Sequence, residues 1–444
     1  MPALICVLIV VQMILDVFQL DLSLGAGLSV KNLMLYVVFG LVIVDMVLRR
    51  GVKFEMRALQ LFYIGLVLYA IFTWYLAFAY IEYDRYPILE NGLFIKSILA
   101  DFLVYFMVCF YGLRTQRDVT IGLNTLMIAL TIANLITVTE TFNITSFGVT
   151  EIREDGRVQG AMGEANQYAA FLSLTIPVYI ALIVLNRGFW RLVWLGSVLL
   201  AMVAMLTTVS RGGFIALAMG CLIGCFIFRR QIPVVKLLSA AVAAGFVAVV
   251  VLFTVSAEYR SLIVDRLFSE SSQADLSGAS GGRTEMWGQA LGYMVDKPLT
   301  FITGFGWRAY WTMPFQVSPH NTYLNYWFNL GLIGLGFLLY SQVAVIRTAI
   351  QSAVATIDRR TRLLLIAFVF GTISLSIAIF FVELYVPWIY TWAMYGMMMR
   401  LAMMQRAEAP AVAPAAEAMP IESRAKGDRF GWARSAKPRR AAPT

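Results

Sequence analysis

Residues 192–228 read LVWLGSVLLAMVAMLTTVSRGGFIALAMGCLIGCFIF and contain one charged residue, Arg211. A helix needs about 20 mostly apolar residues to cross the hydrocarbon core of a bilayer. This stretch therefore predicts two membrane spans, 192–209 and 212–228, joined only by a tight turn at Ser210 and Arg211. Because a membrane core admits only helices or closed barrels, two such spans in succession predict an all-α membrane fold.

The same pattern recurs along the chain. Its 444 residues are 60% hydrophobic and 14% charged, whereas soluble domains carry roughly a quarter charged residues. A cleavable signal peptide is not expected, because no basic segment precedes the first apolar run. The apolar runs predict about twelve spans, at 3–20, 31–48, 59–80, 92–112, 119–138, 167–186, 192–209, 212–228, 234–255, 321–346, 361–382 and 386–404.

The basic residues orient these spans. Arginine-containing connectors alternate with acidic ones, and the positive-inside rule assigns the basic side to the cytoplasm. Both termini then fall in the cytoplasm. The opposite side receives the segments 81–91, 139–166 and 210–211 and one long loop, 256–320, which we expect to be periplasmic.

The long loop is expected to contain one amphipathic helix. After a Ser/Gly-rich stretch at 269–282, apolar residues recur at helical spacing on one face, at Met286, Trp287, Ala290, Leu291 and Met294. The helix should end at Lys297-Pro298. Such a helix is expected to lie on the membrane surface or to cap a cavity.

Other compositional features narrow the function. The four cysteines lie inside apolar runs, so neither a disulfide framework nor a zinc site is expected. The net charge of +9 lies largely in short connectors and in the tail, so it does not indicate nucleic-acid binding.

Several arginines fall on the side where the positive-inside rule expects few, among them Arg157, Arg211, Arg283 and Arg308. The turn holds Arg211 at a fixed depth, and its glycines leave backbone N–H groups available to an anion. Arg283 begins the loop helix, where the helix dipole also favours an anion. Guanidinium forks suit diphosphates, although each arginine can also be explained by snorkelling or a lipid headgroup contact.

His320 is the only histidine of the chain and directly precedes the tenth span. Its side chain titrates near neutral pH, so it can act as a general base towards a hydroxyl or donate to a phosphate oxygen. The alternative is a histidine that merely hydrogen-bonds a loop at a helix N-terminus.

Among the acids, Asp101 within a span is a functional candidate but also a plausible partner of Lys96. Asp45 is expected to pair with Arg49. We expect the outer arginines and His320 to converge around one outward-facing cavity, which Glu383 is a candidate to line.

These residues resemble a known family, the O-antigen ligase and Wzy-type O-antigen and exopolysaccharide polymerase superfamily. The similarity is carried over about 155–345 by motifs in the expected order: Arg157-x-x-Gly160 before Asn166-Gln167, Ser210-Arg211-Gly212-Gly213, Arg283-x-x-x-Trp287 before Gly304-x-Gly306, and His320-Asn321 before Gly331-x-x-Gly334.

The resemblance implies a GT-C-like membrane glycosyltransferase that uses a polyprenyl-diphosphate-linked oligosaccharide, without metal, nucleotide sugar or other cofactor. Its implied catalytic residues are His320, Arg211 and Arg283. The implied substrate-binding residues are Arg157, Asn166, Trp307, Arg308 and Asn321. The acceptor would be a glycan or lipid A core, and a polysaccharide export machinery is an expected partner.

The resemblance also divides the chain into three parts. Residues 1–155 would form spans one to five, 156–404 the ligase- or polymerase-like catalytic region, and 405–444 a disordered basic cytoplasmic tail. Polymerisation of repeat units in the bacterial inner membrane is favoured over ligation to lipid A core, because no feature marks a protein acceptor. A secondary transporter and a non-catalytic scaffold remain as alternatives of other classes, although the chain lacks the internal repeat of many transporters.

Overall fold

The structure is a computed structural model. It describes residues 1–20, 22–25, 27–49, 57–80, 86–152, 157–232, 282–313, 319–384 and 388–408, with a few isolated positions between 242 and 261. The predicted tail therefore lies outside the described residues, except for its first four positions, which continue the last helix.

Helices dominate the described residues. They are α1 Pro2–Val17, α2 Val30–Leu48, α3 Arg57–Tyr80, α4 Ile88–Ile95, α5 Asp101–Gly112, α6 Gln116–Thr141, α7 Ala165–Leu185, α8 Gly188–Thr207, α9 Arg211–Phe228, α10 Arg283–Asp296, α11 Thr300–Thr303, α12 Thr322–Ala355, α13 Arg359–Ala378 and α14 Trp388–Glu408. A π-helical turn, Lys96–Ala100, joins α4 to α5, and short 3-10 turns form at Gly160–Met162 and Ala309–Thr312. A small antiparallel pair, β1 Ser23–Gly25 and β2 Leu28–Ser29, precedes α2.

Nine helical segments of the described chain are long and apolar enough to cross a membrane: Val30–Leu48, Ala58–Phe78, Ile88–Gly112, Gln116–Thr141, Ala165–Leu185, Gly188–Thr207, Arg211–Phe228, Thr322–Ala355 and Arg359–Ala378. The apolar helix α1 is shorter, and α14 is not among the nine. The expected span 234–255 lies largely outside the described residues. The prediction of an all-α polytopic membrane protein is confirmed. The number twelve and the GT-C-like arrangement stay predictions.

The centre of the bundle is α7, which packs against α8, α9 and α13. Small residues let the backbones approach closely, as is common between membrane helices. A side chain at Gly371 would strike the carbonyl of Leu174, and one at Gly220 would strike Ser374. The region that carries the family motifs is thus held by tight helix contacts.

The predicted tenth span is not one continuous helix. Gly331 has φ +64° and ψ −168°, which breaks α12 after Leu330. A Cβ at this position would collide with the carbonyl oxygen of Ile302, so only glycine allows α11, which contains Ile302, to come this close. The nine residues from Thr322 to Leu330 therefore form a separate first segment of α12.

Two acids expected to be structural have protein partners. Asp45 Oδ1 accepts from Arg49 Nε at 2.8 Å, and Arg114 pairs with its other oxygen. Asp101 Oδ2 lies 3.7 Å from Lys96 Nζ. The π turn brings this last pair together, because it bonds residue i to residue i+5. Both pairings are confirmed.

Several helix ends meet at one end of the bundle, which we call the His320 end. The backbone N–H of Thr322, at the start of α12, donates to Ile379 O at 2.9 Å, just after α13. The N–H of Val158, before α7, donates to Thr207 O at the end of α8, at 3.3 Å. Every residue predicted to be functional lies in or near this end.

Candidate functional site

Arg157 is a buried residue, with 7% of its surface exposed. Its Nε donates to Thr208 O at 3.0 Å and its Nη2 to Asn166 Oδ1 at 2.6 Å. These bonds tie the end of α8 to the start of α7. The burial and the protein partners contradict a lipid headgroup contact and favour a positioning function for this guanidinium.

A polar network joins the N-termini of α7 and α9. Asn166 Oδ1 also accepts from Ser210 Oγ at 3.0 Å, and Asn166 Nδ2 donates to Glu164 Oε1 at 3.0 Å. Glu164 caps α7 by accepting from Gln167 N at 2.7 Å, and Ser210 caps α9. The sequence analysis did not select Glu164 as a site residue. Its position just before an apolar helix was the available signal, because acids are favoured there.

Arg211 is the first residue of α9 and is half-buried. The glycines after it have a packing function. A Cβ at Gly212 would lie 2.7 Å from Phe381 Cβ, and one at Gly213 would lie 2.7 Å from Ala169 Cβ. The N–H of Gly213 donates to Ser210 Oγ at 3.4 Å. This N–H therefore serves the helix cap, which corrects the interpretation that the glycines leave it available to an anion.

Arg283 is the first residue of α10 and lies near both Glu164 and Arg211. Burial lowers the pKa of the Arg283 guanidinium, the Glu164 carboxylate raises it, and the Arg211 charge lowers it further. The charges of Glu164 and Arg211 therefore lie within electrostatic range of Arg283. Two arginines from distant parts of the sequence, each at the start of a helix, thus lie in the same region as one carboxylate.

His320 lies beside α10. Trp287, one helical turn after Arg283, donates from Nε1 to Pro319 O at 2.7 Å. His320 itself is half-buried and has φ +48°, a left-handed conformation that is uncommon outside glycine and in which asparagine, aspartate and histidine are the most frequent other residues. The imidazole is thus carried on a backbone turn that α10 holds in place.

Asn321 is the N-cap of α12 and is 4% exposed. Its Oδ1 accepts from Leu324 N at 3.0 Å. The side-chain oxygen thus begins the helix, and the substrate-binding function of Asn321 stays a prediction.

One aromatic cluster connects these parts. The Trp287 and Phe380 rings form a T-shaped pair with centroids 5.5 Å apart, and the next residue, Phe381, packs against Gly212. The segments that contact this cluster therefore carry Arg211, Arg283 and His320. We call Arg211, Arg283, Glu164 and His320 the cationic site.

Trp307 and Arg308, which come after α11 in the chain, pack against a different element, α4. Trp307 Nε1 donates to Asn91 O at 3.0 Å. The Arg308 guanidinium carbon lies 3.5 Å from the centroid of the Phe94 ring, and its Nη1 lies 3.9 Å from Glu90 Oε1. The prediction that all four outer arginines converge is therefore only partly supported by the contacts of these side chains.

A cavity lies beside the first segment of α12 and is also lined by Ile98, from the π turn that follows α4; we call it the α4–α12 cavity. It contains about 510 Å³ of empty space, counting its open mouth. Among its lining residues are Arg308, Trp311, Thr322, Asn325 and Glu383. Thr322 comes two residues after His320, so this α4–α12 cavity adjoins the cationic site.

The loop helix α10 packs against protein at its apolar face. Ala290 and Met294 are buried in a small cluster with Phe305, Tyr310 and Phe328. The predicted helical spacing is thus confirmed. The helix covers Phe328, and the next residue, Asn329, lines the α4–α12 cavity. Within the described residues, no group of three or more His, Cys, Asp or Glu side chains is arranged to hold a metal ion.

Comparison with known proteins adds the family. No curated protein matches the chain. Residues 195–339 match the family described as O-antigen ligase. This region contains Arg211, Arg283, Trp307, Arg308, His320 and Asn321, whereas Arg157 and Asn166 precede it. The resemblance seen in the motifs is confirmed over residues 195–339, which match the O-antigen ligase family.

Proposed function

We propose that this protein is a membrane glycosyltransferase. It transfers a glycan from a polyprenyl diphosphate to an acceptor hydroxyl and thereby polymerises repeat units of a surface or extracellular polysaccharide. The observation that carries the proposal is the convergence of Arg211 and Arg283 beside the turn that bears the only histidine.

The cationic site suits a diphosphate. Arg211 and Arg283 are the first residues of α9 and α10, so two guanidiniums and two helix N-termini contribute positive charge to one place. Glu164 offsets part of this charge while no anion is bound. Its position at the N-cap of α7 keeps it fixed there.

The reaction needs these groups in defined functions. The acceptor hydroxyl oxygen forms a bond to the anomeric carbon, and the bond between that carbon and the diphosphate oxygen breaks. The diphosphate leaves with the bonding electrons, and the arginines stabilise its developing charge. His320 either accepts the hydroxyl proton, or donates a hydrogen bond to a phosphate oxygen while the hydroxyl proton passes to the departing diphosphate. Displacement by a positioned hydroxyl inverts the anomeric configuration.

Residues outside the cationic site have supporting functions. Arg157 and Asn166 hold the N-termini of α7 and α9 together, so we assign them to positioning.

We assign catalysis to the region 156–404. Spans within 1–155 would support it, and residues 405–444 would form a cytoplasmic tail. The protein would lie in the bacterial inner membrane with the cationic site on the periplasmic face, where a polysaccharide export machinery would receive the product.

Ligation to lipid A core is the second candidate. The description of the matched family, O-antigen ligase, favours it. The cationic site would be used in the same way, and only the acceptor would differ.

The first prediction concerns the reaction itself. Purified protein in nanodiscs, supplied with lipid-diphosphate oligosaccharide from the host strain and no ion gradient, should form longer lipid-linked chains. Gel electrophoresis and mass spectrometry detect them. Product that forms only when lipid A core is added identifies a ligase. Failure to form product under both conditions refutes the proposed glycosyl transfer, and a transporter would behave in this way.

The second prediction concerns Trp287. Trp287→Phe should keep the ring contact with Phe380 but lose the hydrogen bond to Pro319 O. Because one hydrogen bond contributes about 0.5–1.5 kcal/mol, we expect transfer to slow by about two- to tenfold. Thermal unfolding should change little. Trp190→Phe, at an exposed position of α8, is the matched control. Equal rates in both variants would mean that α10 does not hold the His320 turn.

A further inference from the structure

We propose that the α4–α12 cavity binds a sugar residue of the acceptor glycan. This inference rests on the proposed function and adds a second substrate site to it. The cationic site would hold the diphosphate of the donor, and the cavity would hold the ring whose hydroxyl attacks.

The walls of the cavity have the chemistry of a sugar site. Trp307, Trp311 and Trp388 supply broad ring faces against which the C–H face of a pyranose can pack. Asn325 and Glu383 supply hydrogen-bonding groups for hydroxyls.

One of these polar groups has spare capacity. Asn325 Oδ1 accepts a hydrogen bond from Asn329 Nδ2. Within the part of the chain that the structure describes, this is the only hydrogen bond of the Asn325 side chain, so its amide N–H groups can donate to a ligand. A polar group at a cavity wall is stabilised when a ligand satisfies it.

Glu383 selects against a second diphosphate. Its side chain is a wall of the cavity and the residue is 3% exposed. A carboxylate held there repels a phosphate but accepts hydrogen bonds from hydroxyls. Arg308 also lines the cavity, and its guanidinium lies over Phe94 and near Glu90.

The position of the cavity supports the same assignment. The segment from Ile379 to Leu384 lies between the two sites. Its Phe380 and Phe381 contact Trp287 and Gly212 beside the cationic site, whereas Glu383 lines the cavity. Thr322, two residues after His320, also lines the cavity and donates from Oγ1 to Val382 O at 2.8 Å. A sugar in the cavity therefore approaches the donor from the side of His320.

The test is direct binding of an acceptor without a lipid. The probe is the oligosaccharide that mild acid releases from the lipid-linked intermediates of the host strain. Purified wild-type protein should bind it without any donor present, as measured by calorimetry. Trp311→Ala should weaken binding by about tenfold, because it removes one stacking face. Asn325→Asp should weaken it similarly, since it keeps the oxygen that accepts from Asn329 but removes the N–H donors.

A matched control and a kinetic measurement complete the test. Trp190→Ala, an exposed tryptophan of α8, should bind as wild type. In the transfer assay, Trp311→Ala should raise the KM for the oligosaccharide and leave the KM for the lipid-linked donor unchanged. Wild-type affinity in both cavity variants, or no binding by the wild type, overturns the inference. Binding without any transfer would instead refute the proposed function and leave the sugar site supported.

Discussion

Replacing His320 should abolish polymer formation while the protein still reaches the membrane. His320→Asn is the more informative substitution, because asparagine tolerates the left-handed backbone that His320 adopts. It therefore removes the imidazole without straining the turn. Loss of a general acid or base typically slows a reaction by about 10²–10⁴-fold.

The measurement is surface glycan on gels from a deletion strain that carries each variant, with protein amounts checked in isolated membranes. His320→Ala should be equally inactive, although its backbone is strained. His320→Gly relaxes the turn, and added imidazole should restore part of its activity in the purified system. Long chains at wild-type levels from His320→Asn would remove the histidine from the mechanism.

Arg211→Lys should be almost as damaging. Lysine keeps the charge at the start of α9 but cannot offer two parallel N–H groups to a diphosphate. Loss of one contact to a developing oxyanion costs about 2–4 kcal/mol of barrier. We therefore expect the turnover rate to fall by about 10²–10³-fold with the purified lipid-linked donor.

The matched control for this variant is Arg187→Lys, the same exchange at an exposed connector arginine. It should retain wild-type turnover. Thermal unfolding of both variants should agree with the wild type, because lysine occupies nearly the same volume. An Arg211→Lys variant as active as the control would show that this guanidinium contacts only lipid headgroups.

The sequence predicted the spans well because hydrophobicity alone determines where a helix can lie in a bilayer. The predicted spans 167–186 and 212–228 correspond closely to Ala165–Leu185 and Arg211–Phe228. The break at Gly331 was not predicted, since it depends on contact with Ile302, a residue of a different segment. The ends of a membrane helix are determined mainly by the chemistry of neighbouring residues, whereas a break such as that at Gly331 is determined by contacts with another segment.

The site was predicted in part for the same reason. Helix starts made Arg211 and Arg283 visible as anion-binding candidates, and the structure brings these two together. The side-chain partners of Arg157 and Asn321 depend on which helix faces turn towards each other, and a single sequence does not contain this information. Glu164 was overlooked although its position before an apolar helix indicates an N-cap, because its proximity to Arg283 depends on tertiary contacts.

Three glycines fasten the end of the long loop to the membrane helices. Side chains at Gly304 and Gly331 would strike the backbone of the opposite segment, and one at Gly306 would strike Ala77 of α3. This part of the loop is consequently not an interchangeable module. A chimaera that borrows it from a relative would have to import its partners on α3 and α12 as well, so new specificities would evolve most easily through changes in side chains along the cavity wall.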